Sequence, residues 1–371
     1  MNILMLNYEY PPLGGGAAPV TKSLAEELVH RGHEVDIVTM GFRGLQEKEV
    51  INNVHIFRVS NIRKKLEVCT TYEMLSYCFS AGCFLPKLLK KKEYDINHTH
   101  FIIPTGIISA LFSERVPYII TAHGSDVPGY NPDRFQLQHK LLRPFSNLVL
   151  NRACHITSPS RFLKGEIIRT FGERQISVIP NGISPEDYTP REKQYKILTV
   201  SRLFERKGIQ YVIDAMVDIE GFEYVICGDG PYRLSLERRI KHLDIGHKVH
   251  VRGYLESQQL KREYESAAIF ILPSISENFP MVLLEAMAAG CAIITTDTTG
   301  CSEVVGNTAL RIRPQDSEDV KQKLLTLIND PNLLKTLGRK GRERVENEFT
   351  WNRVAETYIA LYNNVLNRRD Y

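Results

Sequence analysis

Residues 269–290 read Ile269-Phe-Ile-Leu-Pro-Ser-Ile-Ser-Glu277-Asn-Phe-Pro-Met-Val-Leu-Leu-Glu285-Ala-Met-Ala-Ala-Gly290. An apolar run, Ile269–Ile275, reads as a strand and closes in a polar loop that carries Glu277. Pro280 opens a helix, and Glu285 lies about one turn into it. A strand end, a turn and a helix start in direct succession form the natural ligand position of an α/β sheet. Carboxylates there can accept hydrogen bonds from a ligand rich in hydroxyls, such as a sugar or a ribose. The helix start adds backbone N–H groups with no partner inside the helix.

The same alternation of strand and helix extends in both directions. Towards the N-terminus, strands are expected at Ile3–Asn7, Val35–Thr39, His55–Val59, Ile96–His100, Tyr118–Ala122, His155–Ser158 and Ser177–Pro180. Helices are expected at Val20–His30, Thr71–Lys91, Thr105–Glu114 and Ser160–Thr170, the first with Val20, Leu24 and Leu28 four apart. The polar stretch Ser184–Tyr195, with two prolines and no periodicity, reads as a linker. The βα pattern then restarts at Ile197–Ser201. The expected fold is therefore α/β, with two facing Rossmann-like doubly wound domains and one cleft between them. Residues 1–185 form the first domain and 186–350 the second. A final helix, 351–371, with Val354, Tyr358, Leu361 and Val365 on one face, rejoins the first domain.

A chain of 371 residues exceeds what one core usually holds, in keeping with two domains. Hydrophobic residues make up 43% and charged residues 24%, the balance of a soluble globular protein. The net charge of +4 comes without a basic stripe interleaved with aromatics, which argues against a nucleic-acid partner. The N-terminus lacks the features of a signal peptide, and no apolar run reaches the length of a membrane helix. Seven scattered cysteines without a Cys-x-x-Cys pair point to reduced thiols in a cytoplasmic protein.

Other polar clusters fall at strand ends. Gly14-Gly-Gly16 follows the first strand and precedes the first helix, where backbone N–H groups can approach an anion; a flexible turn is the alternative. His123-Gly-Ser-Asp126 follows Tyr118–Ala122: His123 can meet a sugar hydroxyl and Asp126 an acceptor, or Asp126 simply caps a turn. Arg202 offers a planar fork of donors and Lys207 a point charge, both suited to a diphosphate, although surface cations are usually just solvated. Gly228-Asp-Gly230 and Gly253-Tyr254 could border a base, and a tight turn explains them nearly as well. His98 and His100 share one strand face, which a two-His metal site would need; with no third ligand nearby, a structural reading is favoured. Asp-x-Asp does not occur, so no metal clamp on a diphosphate is expected. The basic run Phe84–Lys92, with Arg63–Lys65 upstream, reads as a solvated helix end in preference to a contact with anionic lipid.

These pieces together resemble retaining glycosyltransferases of family 4, the group 1 glycosyl transferases of GT-B fold. The resemblance rests on Gly14–Gly16, His123-Gly-x-Asp126, Pro180-Asn-Gly182, Ser201-Arg-Leu-x-x-x-Lys-Gly208, Gly228-Asp-Gly-Pro231, and Glu277 with Glu285 ahead of Ala286-Met-Ala-x-Gly290. It spans nearly the whole chain in the family's order. It implies that Arg202 and Lys207 hold the donor diphosphate, that Glu285 takes the ribose hydroxyls, and that Glu277 takes those of the transferred sugar. It also implies backbone contacts from Asn278, Phe279, Pro280, Met281 and Val282, a base bordered by Tyr254, His123 facing the sugar, and Gly15 and Gly16 near the phosphate. Thr299, where relatives often carry a glycine, and Ser184, where an acidic residue is common, depart from the pattern. They weaken a phosphate role for the Thr299–Gly300 turn.

The expected activity is transfer of a sugar from a nucleotide diphosphate sugar to an acceptor hydroxyl, with configuration retained and no metal or other cofactor. The acceptor would be a lipid-linked glycan, a polysaccharide or a small metabolite, contacted by loops around Gly41–Lys48 and Val127–Gln138. Peripheral contact with the inner face of a membrane is compatible with the basic segment. The rival readings are a sugar-nucleotide epimerase of the same fold and a non-catalytic sugar-nucleotide-binding protein.

Overall fold

A computed structural model describes residues 1–66, 68–128 and 136–368. The chain divides into two compact units, one formed by residues 1–182 with 351–371 and the other by residues 183–350.

The first unit is an eight-stranded sheet. Its strands are β1 (Asn2–Leu6), β2 (Glu34–Met40), β3 (Lys48–Ile51), β4 (Val54–Val59), β5 (Ile96–His100), β6 (Tyr118–Thr121), β7 (His155–Ser158) and β8 (Ile176–Val178). Their order is β3-β4-β2-β1-β5-β6-β7-β8. All neighbours run parallel except β3, which pairs antiparallel with β4. That hairpin is absent from the sequence reading. Its turn, Asn52-Asn53, places both residues at positive φ (49° and 61°), the conformation that a two-residue hairpin turn requires and that asparagine tolerates.

Among the described residues, five helices connect the strands: α1 (Ala17–His30), α2 (Thr71–Leu89), α3 (Thr105–Leu111), α4 (Gln136–Arg152) and α5 (Arg161–Phe171). The sequence reading also lacks α4, which continues through Pro144, a residue that normally breaks the helical pattern. α2 begins with a reciprocal cap: Thr70 accepts from the Glu73 N–H, and the Glu73 carboxylate accepts from the Thr70 N–H at 2.7 Å. Tyr77, Ala81, Leu85 and Leu88, four or fewer apart, form its buried stripe.

The second unit holds β9 (Gln194–Val200), β10 (Glu223–Cys227), β11 (Val249–Gly253), β12 (Ala267–Leu272), β13 (Ala292–Thr296) and β14 (Ala309–Ile312), all parallel. Their order, β11-β10-β9-β12-β13-β14, is the 3-2-1-4-5-6 arrangement of a doubly wound dinucleotide-binding sheet. Every residue of β12 is buried, as expected of a central strand covered on both faces. Helices α6 (Ile209–Ala215), α7 (Arg233–His242), α8 (Ser257–Ser266), α9 (Met281–Ala288), α10 (Thr299–Val305), α11 (Ser317–Asn329) and α12 (Pro331–Glu348) complete the unit. α13 (Trp351–Asn367) then returns to the first unit, where Arg31 at the end of α1 donates to Asn352 and Glu356. Among the described residues no helix is long and apolar enough to cross a membrane.

Candidate active site

In an open parallel sheet the ligand crevice lies beyond the carboxyl ends of the strands where the order reverses. In the second unit that point is between β9 and β12. The segments leaving these strands are Ser201–Gly208 and Pro273–Pro280, which carry Arg202, Lys207 and Glu277.

The two segments are stitched together by backbone. Ile275 N–H donates to Arg206 O at 3.0 Å. Gly208 has φ +71°, and a Cβ there would lie 2.2 Å from Pro273 O, so only glycine fits. Lys207, on the short 3-10 turn just before it, is thereby aimed at Glu277, and the two side chains form an ion pair. On the other side, Glu277 O accepts from Gly300 N–H at 3.0 Å, and a Cβ on Gly300 would meet Asn278 O at 1.6 Å. The turn into α10 is thus a backbone clamp on the Glu277 loop; the side chain of Thr299 lies outside the described residues.

Arg202 is exposed and lies over the Phe204 ring, 5.3 Å from its centroid. Its loop rests on Gly228-Asp-Gly230: a Cβ at Gly228 would meet Ser201 O at 1.9 Å, and one at Gly230 would meet Leu203 O at 2.4 Å. Close packing therefore requires glycine at both positions. Tyr254, beyond the end of β11, is 80% exposed.

α9 starts at Met281 after Pro280, whose side chain makes no cap bond to its first N–H groups. The first N–H groups of a helix, here including those of Met281 and Val282, have no partner within the helix and can meet an anion or a hydroxyl oxygen. Asn278 is buried beneath the loop, and Phe279 packs edge-on against Phe349. One turn into α9, Glu285 Oε2 accepts from the Tyr264 hydroxyl at 2.6 Å. Burial raises the Glu285 pKa, and the Tyr264 bond opposes the rise. Tyr264, anchored on α8 and almost wholly buried, fixes the carboxylate's direction. It is absent from the sequence reading because a tyrosine on a helix face carries no motif.

In the first unit the order reverses at β1, between β2 and β5. Gly15 and Gly16 follow β1, and a Cβ on either would meet nothing within 4 Å. Neighbouring atoms therefore do not demand glycine at these two positions. The Gly15 N–H donates to the Glu9 carboxylate at 3.1 Å, so an anionic oxygen already sits on this loop.

Beyond β5 and β6 the site is built of imidazoles. His98, His100 and His123 stack in a row, with centroids 4.5 Å and 5.2 Å apart. His123 Nε2 hydrogen-bonds with His100 Nδ1 at 3.0 Å. His98 hydrogen-bonds with the Tyr362 hydroxyl of α13 through Nδ1 and with Thr121 through Nε2, both at 2.7 Å. The structural reading of His98 thus holds, while His100 touches His123 directly. Burial pushes the pKa of His98 and His123 down to about 3 and that of His100 well down, so all three rings are neutral near pH 7. Buried His100 Nε2 has no hydrogen-bond partner. A bare acceptor nitrogen is the less costly orphan, which favours His100 donating from Nδ1 to His123 Nε2. His123 Nδ1 then carries its proton and acts as a donor.

Asp126, expected to contact an acceptor, lines a pocket but spends its carboxylate on backbone. Its buried carboxylate accepts backbone N–H groups of Ile102 (2.7 Å), His123 (3.0 Å) and Gly124 (2.9 Å), and so holds the His123 loop in shape. Burial raises its pKa against the pull of those bonds. Most of the second expected acceptor loop, Val127–Gln138, lies outside the described residues.

Comparison with known proteins agrees with this geometry. The family described as Glycosyltransferase Family 4 matches residues 14–187, and Glycosyl transferases group 1 matches residues 182–344. The chain belongs to the family 4 glycosyltransferases. An uncharacterised glycosyltransferase of Methanocaldococcus jannaschii is 28% identical, with 98% of each chain covered. The N-acetyl-alpha-D-glucosaminyl L-malate synthase of Bacillus anthracis is 24% identical, with 96% of each covered. Among solved structures, sucrose-phosphate synthase from Thermosynechococcus elongatus superimposes with a TM-score of 0.85 at 21% identity, covering 99% of both chains. Anabaena HepE in complex with UDP does so at 0.80 and 18% identity, covering 98% of this chain and all of that one. These structures establish the GT-B fold. An epimerase is not favoured for this glycosyltransferase.

Proposed function

We propose that this family 4 glycosyltransferase moves a sugar from a nucleotide diphosphate sugar to an acceptor hydroxyl, with the anomeric configuration retained and without a metal. The observation that carries the reading is the joint placement of Lys207, Glu277 and the uncapped start of α9 at the switch point of the second sheet.

The barrier to such a transfer is charge separation, a cationic sugar parting from a diphosphate. Lys207, Arg202 and the N–H groups of α9 would stabilise the departing oxygens electrostatically. Glu277 would do two things: hold the Lys207 ammonium in place and accept hydrogen bonds from sugar hydroxyls. Glu285, with one oxygen fixed by Tyr264, would offer the other to the ribose. His123, as a neutral donor, would meet a sugar hydroxyl without setting a positive charge against a developing sugar cation. Gly15 and Gly16 would admit the phosphate closely, in place of the Glu9 carboxylate. The acceptor would be a lipid-linked glycan, a polysaccharide or a small metabolite, in synthesis of a polysaccharide or other glycoconjugate inside the cell. HepE has been solved with UDP-glucose and starch synthase IV of Arabidopsis thaliana with ADP, so relatives of this fold differ in base.

A thermal-shift screen against UDP-, GDP- and ADP-sugars tests the donor, since a ligand that binds only the native state raises the melting temperature. One nucleotide series should stabilise the protein, and none doing so would refute the site. NMR of the product should show the donor's anomeric configuration, and activity should survive a chelator. Donor incubated alone should yield no isomeric sugar nucleotide.

A further inference from the structure

The outer face of α2 changes character along its length. Tyr72, Leu75 and Phe79 are 77%, 56% and 76% exposed, and their three- and four-residue spacing puts them on one stripe. The stripe continues through exposed Cys83 to Lys87 and Lys90, with Lys91 just beyond. Ile62, 58% exposed, joins its apolar half, because the Ile62 N–H donates to Ser76 Oγ on the same side of the helix. Exposed Lys64 and Lys65 follow it. Arg63, grouped with them in the sequence reading, turns inward and donates to Lys65 O and Leu66 O, so it takes no part in this surface. Glu73, the one carboxylate among the described residues between 61 and 92, is buried in the helix cap.

We infer that this face docks on an anionic lipid surface. Aromatic and aliphatic side chains clustered beside lysines, with no exposed carboxylate among the described residues of the stripe, match the two layers of a membrane interface: apolar groups enter the acyl boundary and ammonium groups meet the headgroups. The lysine stems cover apolar surface while their charges stay in the wet layer. A second copy of the chain fits less well, since it would bury these lysines against a face that offers them no described carboxylate. The helix is already folded and capped, so docking needs no ordering step.

The stripe also adjoins the chemistry. Leu75 lines an apolar pocket with Met74, Ile107 and Leu142, and its wall includes Ser125 and Asp126 beside His123. An acceptor drawn from the same lipid surface would reach the His123 loop by this route. That last link rests on the proposed transferase reading; the docking face itself does not.

Vesicle co-sedimentation of the full chain tests the inference. The protein should pellet with vesicles containing phosphatidylglycerol, pellet poorly with phosphatidylcholine alone, and be partly released by high salt. Tyr72→Ser/Leu75→Ser/Phe79→Ser and Lys87→Gln/Lys90→Gln/Lys91→Gln should each weaken binding about tenfold or more, since each lysine near such a surface counts for about fivefold. Both variants should keep the wild-type melting temperature and the donor-induced shift, which separates this test from that of the transferase site. Wild-type protein that stays in the supernatant with every vesicle overturns the inference. So do variants that bind like wild type, or a dimer in size-exclusion chromatography that the apolar variant dissociates.

Discussion

The two sheets present different chemistry towards the carboxyl ends of their strands. At the switch point of the second unit, an ammonium and a carboxylate face each other, mostly but not wholly covered. In the first unit the ends of β5 and β6 carry three neutral imidazoles, threaded by the hydroxyls of Thr121, Tyr358 and Tyr362. Topology sets where the strand ends open, and the residues just past them set the charge presented there. A charged site suits a diphosphate leaving group. A neutral, donor-rich site suits sugar hydroxyls and an incoming alcohol.

The sharpest way to break this contrast is at the charged side. Lys207→Met and Glu277→Gln should each cut transfer at least a hundredfold while circular dichroism shows the fold intact. Because the two groups act as a pair, the double variant should lose much less than the product of the single losses. Wild-type turnover in either single variant would remove the second unit's claim to the donor.

The neutral side should answer in stability first. Tyr362→Phe strips the hydrogen bond from buried His98 Nδ1 and should cost about 1–3 kcal/mol, read as a lower urea midpoint, with the donor-induced melting shift retained. A midpoint within error of wild type would show that the imidazole row tolerates an unpaired nitrogen.

A pH series sharpens the comparison further. The folded-state pKa values of His98 and His100 lie below the ordinary 6.5, so the unfolded chain takes up these protons first as pH falls. Their contribution is full above pH 6.5 and is lost as pH falls below it, for His98 down to about pH 3, at about 1.4 kcal/mol per pH unit for each ring. Melting temperature should fall on acidification from pH 7 to 5, and less so in His98→Asn/His100→Asn. A profile flat over that range would contradict the neutral, buried assignment.

The smallest effect should come from the support of Glu285. Tyr264→Phe frees one carboxylate oxygen without removing it, and donor KM should rise a few-fold with kcat little changed.

What the sequence makes legible follows from the range of the forces involved. Strands such as Ile269–Ile275 and the start of α9 are set by local apolar runs and proline, and they lie within a few residues of expectation. The charged half of the site was legible too, because Lys207 and Glu277 belong to short motifs at strand ends. The imidazole row was not: His98, Thr121 and Tyr362 meet across up to 264 positions of chain, and nothing local announces their hydrogen bonds. Asp126 shows a different gap. A polar residue in a loop invites a ligand role, yet three backbone N–H groups claim its carboxylate first. The outer stripe of α2 escaped for a third reason: periodicity shows that a helix has two faces, but only tertiary packing shows that Tyr72, Leu75 and Phe79 are left on the outer one.

The last helix carries an implication for biosynthesis. Tyr358 and Tyr362 seal the imidazole row of the first unit, yet a ribosome makes them only after residues 1–350. Until α13 emerges, His98 and Thr121 lack these hydroxyls, so the unit begun by residues 1–182 is finished only after residues 183–350 have been made. A nascent chain stalled before residue 351 should therefore expose that half to proteases, and a fragment ending at Gly182 should need α13 supplied in trans to become resistant.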